Sequence, residues 1–171
     1  RKSEATLCSE FIPIISQSLD TFIPAEIRTF RSLFQYLMEL ASRKPFNLVI
    51  DEFQEFYNIN ESVYSDMQNI WDTYRKKSKM NLIVSGSIYS LMQKIFQNNK
   101  EPLFGRADNI IKLSAFDLNT LKEIMRDYNP SYTNDDLLAL YTFTGGVPKY
   151  VELFCDNITL NIDEMLSLIH I

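Results

Sequence analysis

Two adjacent carboxylates, Asp51 and Glu52, stand at the end of the run Asn47-Leu48-Val49-Ile50 and just before Phe53-Gln54. The four residues ahead of them can form a fully buried strand. At the C-terminal end of a parallel strand, side chains open into the ligand crevice of an α/β sheet. There the first carboxylate can hold Mg²⁺, and the second can orient or deprotonate a water. The same letters also describe a strand end that runs into an exposed turn, so the surrounding elements must decide.

Those elements alternate. Phe30, Leu33, Phe34, Leu37 and Ala41 recur at helical spacing before the strand. After it, Val63, Met67, Ile70, Trp71 and Tyr74 share one helical face, with Asn60 as N-cap. A second apolar strand is expected at Asn81–Ser85, then a helix carrying Ile88, Leu91, Met92 and Ile95. One strand–helix–strand unit of roughly thirty residues thus separates Asp51 from Ser85. A right-handed crossover puts both strand ends on the same edge of a parallel sheet. A third strand is expected at Asn109–Leu113, after which the pattern turns wholly helical. Leu118, Leu121, Ile124 and Met125 make one face, and Leu137, Leu138, Leu140 and Tyr141 another. Thr133 with Asp136 reads as a capping box; Gly145-Gly146 ends that helix and Pro148 opens the next. The boundary is expected near Ser114–Phe116, leaving an α/β part over residues 1–115 and a helical part over 116–165. An N-terminal helix is expected to be interrupted by Pro13.

Further chemistry-bearing residues fall at the ends of these elements. Ser85 and Ser87 flank the end of the second strand, where a hydroxyl could touch a γ-phosphate or the attacking water; Ser-Gly-Ser is also a common turn. Arg106, in Leu103-Phe-Gly-Arg-Ala-Asp108, could neutralise charge on a transferring phosphoryl group. It could equally form a surface ion pair with Asp108 or another acid. Lys149, in Gly145-Gly-Val-Pro-Lys149, sits in an early helical turn against the macrodipole, from which its cation could reach over a nucleotide.

In this order the pieces LVIDEFQ, LIVSGS, LFGR and TGGVPKY resemble the AAA+ P-loop ATPases, and within them the prokaryotic archaeal-type branch, over roughly Phe46 to Phe154. The resemblance implies a partial P-loop NTPase core with a parallel sheet, followed by a small α-helical lid. It implies ATP and Mg²⁺ as ligands, with Asp51 on the metal and Glu52 on the catalytic water. Ser85 or Ser87 becomes the sensor, Arg106 the arginine-finger-like residue and Lys149 the lid cation. Lysine lacks the bidentate fork of the arginine that many relatives carry at that lid position. If Arg106 acts across a subunit boundary, the protein self-associates.

No G-x-x-x-x-G-K-[ST] occurs in these residues, whose only glycines are Gly86, Gly105, Gly145 and Gly146. In the family the phosphate-binding loop and its strand come before the strand that ends on Asp51. These residues alone are therefore expected to bind ATP poorly and hydrolyse it negligibly. That first strand lies between the second and third strands named here, which would otherwise flank a slot about 9–10 Å wide and be marginally stable. Residues 166–171 can be written in codons that reproduce a transposase end used in sequencing libraries. They are expected to be a non-native tail, which removes His170 from any catalytic argument.

Composition narrows the remaining classes. With 46% hydrophobic and 23% charged residues the chain is of the ordinary globular kind, and its net charge of −5 sets up no field that would favour nucleic acid. Nucleic-acid contact would have to come through other domains of the protein. Cys8 and Cys155 lack metal-ligand spacing and read as reduced thiols. With neither a membrane span nor a signal-peptide pattern, a cytoplasmic location is expected. Two alternatives to an ATPase are a nucleotide-gated regulatory or scaffold module with little turnover, and a nuclease using Asp51 and Glu52. The nuclease lacks a lysine or third acid close in sequence. The basic run Arg75-Lys76-Lys77-Ser78-Lys79 could suggest nucleic acid, but its place in the last turn of a helix is equally explained by macrodipole complementation and solvation, and that reading is preferred.

Overall fold

The computed structural model describes residues 2–157 and 160–169. The chain divides at Ile110 and Ile111 into two compact units, a few residues ahead of the expected boundary.

In the first unit, helix α1 (Glu4–Leu19) begins at Ser3, whose hydroxyl accepts the Thr6 amide at 3.2 Å. It runs unbroken through Pro13, contrary to the expected interruption. Pro13 is exposed, while Cys8, Ile12, Ile15 and Leu19, at i, i+4, i+7 and i+11, form the stripe packed on the core. The inward face therefore holds the helix together across the residue that would break it. Helix α2 (Phe30–Leu40) is capped by Thr29 and buries Leu33, Phe34, Leu37 and Met38. It ends at Ala41, whose carbonyl accepts the Lys79 amide at 3.0 Å.

Strand β1 (Phe46–Ile50) pairs in parallel with β2 (Met80–Val84), Phe46 opposite Met80 and Ile50 opposite Val84. Between them lie a 3₁₀ turn (Phe53–Glu55), the single-turn helix α3 (Phe56–Ile59) and helix α4 (Ser62–Tyr74). Asn60 caps α4 from just outside it, its side-chain oxygen accepting the Ser62 amide at 3.1 Å. Helix α5 (Tyr89–Gln97) follows β2. The core gathers Phe34, Met38, Phe53, Val63, Tyr64, Met67 and Ile95, with Leu48, Ile50, Leu82 and Val84 packed on it. Each fully buried large side chain there contributes about 1.5–3 kcal/mol.

Two strand expectations need correction. β1 is not buried on both faces: Val49 is 61% exposed and Ile83 beside it 46%. Only the Leu48–Ile50 side meets helices, so burial alternates with the pleat. Asn109–Leu113 is not a strand, and Ile111 and Leu113 are 82% and 90% exposed. An apolar pattern makes a strand only where a neighbour offers ladder bonds, and no described strand pairs with this segment.

The second unit is helical. It comprises α6 (Leu118–Tyr128), α7 (Asn134–Thr144), α8 (Pro148–Asn157) and α9 (Ile162–Ile169). Their core holds Leu121, Met125, Leu140, Val151, Phe154, Leu160 and Met165. The α7 capping box is formed, with Thr133 and Asp136 each accepting the other's amide. Leu138 and Tyr141, expected on the apolar face, are exposed; Leu137 and Leu140 carry it. Gly145 ends α7 in the left-handed region at φ 56°. Gly146, at φ 72°, lies so close to the Phe116 carbonyl that a Cβ would sit 2.3 Å from its oxygen. Leu166–Ile169 continue α9, and Leu168 packs on this core; His170 and Ile171 lie outside the described residues. Among the described residues no helix is long and apolar enough to cross a membrane.

Candidate active site

The parallel ladder does not stop at the strand ends. The Ser85 amide donates to Ile50 O at 3.0 Å, and the Phe53 amide donates back to Ser85 O at 2.9 Å. To make the second bond the chain must turn sharply after Asp51, and Glu52 does so in the left-handed region at φ 50° and ψ 42°. Phe53 then drops into the core while both acidic side chains stay exposed. A non-glycine residue held left-handed between a strand and a 3₁₀ turn is the kind of backbone feature that concentrates at working sites.

The two carboxylates are held differently. Asp51 Oδ1 accepts the Ser85 hydroxyl at 2.5 Å and the Glu52 amide at 2.9 Å. The serine bond first, then the amide, hold its pKa below the usual carboxylate range. Glu52 Oε2 accepts the Gln54 side-chain amide, the Ser87 hydroxyl at 2.8 Å and, at 3.4 Å, the Ser87 amide. Gln54 first and Ser87 next lower its pKa too, against opposing pushes from desolvation and from Asp51. The remaining oxygens, Asp51 Oδ2 and Glu52 Oε1, accept nothing from the described residues.

This donor set fits Mg²⁺ in the way nucleotide sites use it, with one or two carboxylates supplementing phosphate oxygens and waters. Among the described residues no three His, Cys, Asp or Glu gather into a metal site.

The structure brings Asp51, Glu52, Ser85 and Ser87 together and keeps Arg106 away. Arg106 makes a bidentate pair with Asp72, Nε to Oδ1 at 3.1 Å and Nη2 to Oδ2 at 2.6 Å. Its Nη1 donates to the carbonyls of Pro102 and Phe104. Asp72 is in the last turn of α4, the end leading into the start of β2, whereas the carboxylates stand at the opposite ends of the strands. Lys149, in the second unit, is 80% exposed and pairs with Glu152 at 2.6 Å.

Gln54 was not among the residues singled out from the sequence. It is 1% exposed, its amide donates to Glu52, and its Oε1 has no donor among the described residues. A buried acceptor left unpaired costs about 1–3 kcal/mol. Its signal in the sequence is faint: an amide set between Phe53 and Phe56 in a core-directed stretch.

Residues 4–154 match the family described as an ATPase domain found predominantly in Archaea. The chain belongs to that archaeal ATPase family. It is 33% identical over 105 residues to an uncharacterized protein of Methanocaldococcus jannaschii, covering 61% of this chain and 23% of that protein. Its fold is similar to the Walker-type ATPase of Pyrococcus abyssi, with a TM-score of 0.61 at 16% identity over 97% of this chain and 55% of that one. The archaeal ATPase domain thus has the α/β class expected of it, although helix-rich and with a small parallel sheet. The chain spans about a quarter of the length of the curated relative and about half that of the solved one.

Proposed function

We propose that the full-length protein binds ATP with Mg²⁺ and hydrolyses it, using turnover to switch conformation. The observation that supports this best is the pair of exposed carboxylates at the end of β1, each held by one oxygen while the other accepts nothing from the described residues. In this reading Asp51 Oδ2 is the metal ligand. Mg²⁺, when bound, neutralises phosphate charge and aligns the terminal phosphoryl group. Glu52 Oε1 accepts a hydrogen bond from the attacking water and draws off its proton, while Ser87 keeps the carboxylate from turning. Ser85 joins the two strand ends through its hydroxyl bond to Asp51.

The phosphate cradle is assigned to residues of the full-length protein outside these 171, which contain no P-loop motif. We accordingly expect these residues alone to be inactive. The second unit is assigned as the lid, carrying Lys149. For Arg106 to contact a phosphoryl group it must exchange Asp72 for it; doing so across a subunit boundary would make the active form an oligomer. A cytoplasmic location, with both cysteines reduced, completes the proposal.

The test is Glu52→Gln in the full-length protein, read by ATP binding and by hydrolysis. Binding should persist while kcat falls by about 10²–10⁴-fold. A low rate that the substitution leaves unchanged would mean a nucleotide-gated regulatory module instead.

A further inference from the structure

We infer that Gln54 is a positioning residue for Glu52: its buried amide grips one carboxylate oxygen and leaves the other for water. This rests on the ATPase reading above and adds a residue to it. A carboxylate only accepts, so the Gln54 side chain must turn its NH₂ toward Glu52 and its carbonyl away. That carbonyl then faces Gly86 and Met92 and finds no donor among the described residues. A leucine or methionine would fill the same slot without leaving a buried oxygen unpaired. The amide therefore serves the exposed carboxylate better than it serves the core.

The surroundings hold Gln54 in place. Phe53, next to it, is fully buried, and the Tyr64 hydroxyl donates to the carbonyls of Phe53 and Gln54 at 3.1 and 3.4 Å. The slot itself depends on a missing side chain. A Cβ at Gly86 would lie 2.2 Å from Gln54 Oε1 and 2.6 Å from Met92 Sδ. Both atoms belong to flexible side chains and Gln54 Oε1 is the nearer, so alanine at 86 would be accommodated by pushing Gln54 off Glu52. Ser85, Gly86 and Ser87 thus act on the carboxylates as three consecutive residues: a bond to Asp51, room for Gln54, and a bond to Glu52.

The test is a double-mutant cycle on the full-length protein, read by single-turnover hydrolysis and by ATP affinity. Gln54→Leu should lower the hydrolysis rate about 10–100-fold, the scale of a misplaced reacting group, with ATP affinity unchanged. In a Glu52→Gln background it should cause no further loss, because the group it positions is already gone. Gly86→Ala should follow Gln54→Leu while leaving both the amide and the carboxylate chemically intact, and it carries the test if Gln54→Leu folds poorly. A wild-type rate in both variants would overturn the inference. So would a loss that multiplies undiminished with Glu52→Gln, or one matched by weakened ATP binding, as a merely structural role predicts. If Glu52→Gln itself turns over normally, the role given to Glu52 falls and takes this inference with it, while a low rate left unchanged removes the ATPase reading as well. A full Glu52→Gln effect beside an independent Gln54→Leu effect removes Gln54 alone.

Discussion

Asp136 offers the sharpest test of the helical unit. Its Oδ2 accepts the Thr133 amide and hydroxyl, each at 2.8 Å, and its Oδ1 accepts the Ile162 amide at 2.8 Å. One carboxylate, 6% exposed, thereby caps α7 and ties it to the first residue of α9. Cutting the side chain to alanine strands two backbone N–H groups. A lost cap costs about 1 kcal/mol and a charge-assisted bond to a backbone amide about 1.5–3 kcal/mol, so Asp136→Ala should cost about 2.5–4 kcal/mol. A unit of this size has about 3–9 kcal/mol in all, so the loss brings it close to unfolding. Asp136→Asn keeps one acceptor and presents NH₂ where the other stood; it should lose about half as much. The sign of the pH effect follows from the carboxyl group. Burial pushes its pKa up, but the bonds from Thr133 and Ile162 outweigh that and leave it below the ordinary value. Its contribution is therefore complete above the unfolded pKa of about 3.9 and fades as pH falls through the lower native value. Urea melts at pH 7 and at acid pH, with hydrogen exchange at the Ile162 amide, would measure both effects. Wild-type stability in Asp136→Asn, or an Ile162 amide that exchanges no faster in Asp136→Ala, would refute the reasoning.

Gly146→Ala combines a positive φ with a Cβ forced 2.3 Å from a backbone oxygen, and breaks the Phe116–Gly146 bond of 2.8 Å. Thermal melts should show a loss of about 3 kcal/mol or more, against about 1 kcal/mol for Gly145→Ala, where the added methyl meets nothing. Arg106→Lys cannot keep the fork on Asp72 and both carbonyl contacts at once; losing the carbonyl bonds should cost about 1–2 kcal/mol in a urea melt, and the screened ion pair adds little. Glu4 accepts the Phe30 amide at 2.6 Å and the Asn60 side chain at 3.1 Å, joining the starts of three helices. Glu4→Ala should cost about 1–3 kcal/mol and speed exchange of the Phe30 amide.

Much of the fold is legible in the sequence because local patterns carry it. The i, i+3, i+4 spacing of α2 and α4, the Thr133–Asp136 box and the Gly145 stop all appear where their residues place them. The parallel pairing of Ile50 with Val84 follows from a crossover of ordinary length, and it brings Asp51 and Ser85 within one hydrogen bond. Non-local properties were harder to read. Whether Asn109–Leu113 forms a strand depends on a neighbour, not on its own letters. Whether Val49 is buried depends on what covers the second face of the sheet. Pro13 stays helical because the stripe from Cys8 to Leu19 is inward, which the proline alone does not reveal. That the acids and serines gather at the strand ends was readable from their type and position. Gln54 was not, since its role comes from burial beside an exposed carboxylate, and Arg106 was found 34 residues from the acid it actually grips.

The left-handed backbone at Glu52 also shapes how substitutions there should be interpreted. Residue types differ in how readily they enter that region: glycine, asparagine and aspartate do so with least resistance, and β-branched residues with most. A saturation library at position 52 would therefore split into two classes of inactive variant. Glutamine and asparagine should fold normally and report on chemistry, whereas valine, isoleucine and threonine should also lower the yield of soluble protein. Normalising activity to folded protein would separate the two, and a scan scored on activity alone would credit the carboxylate with effects that belong to the main chain.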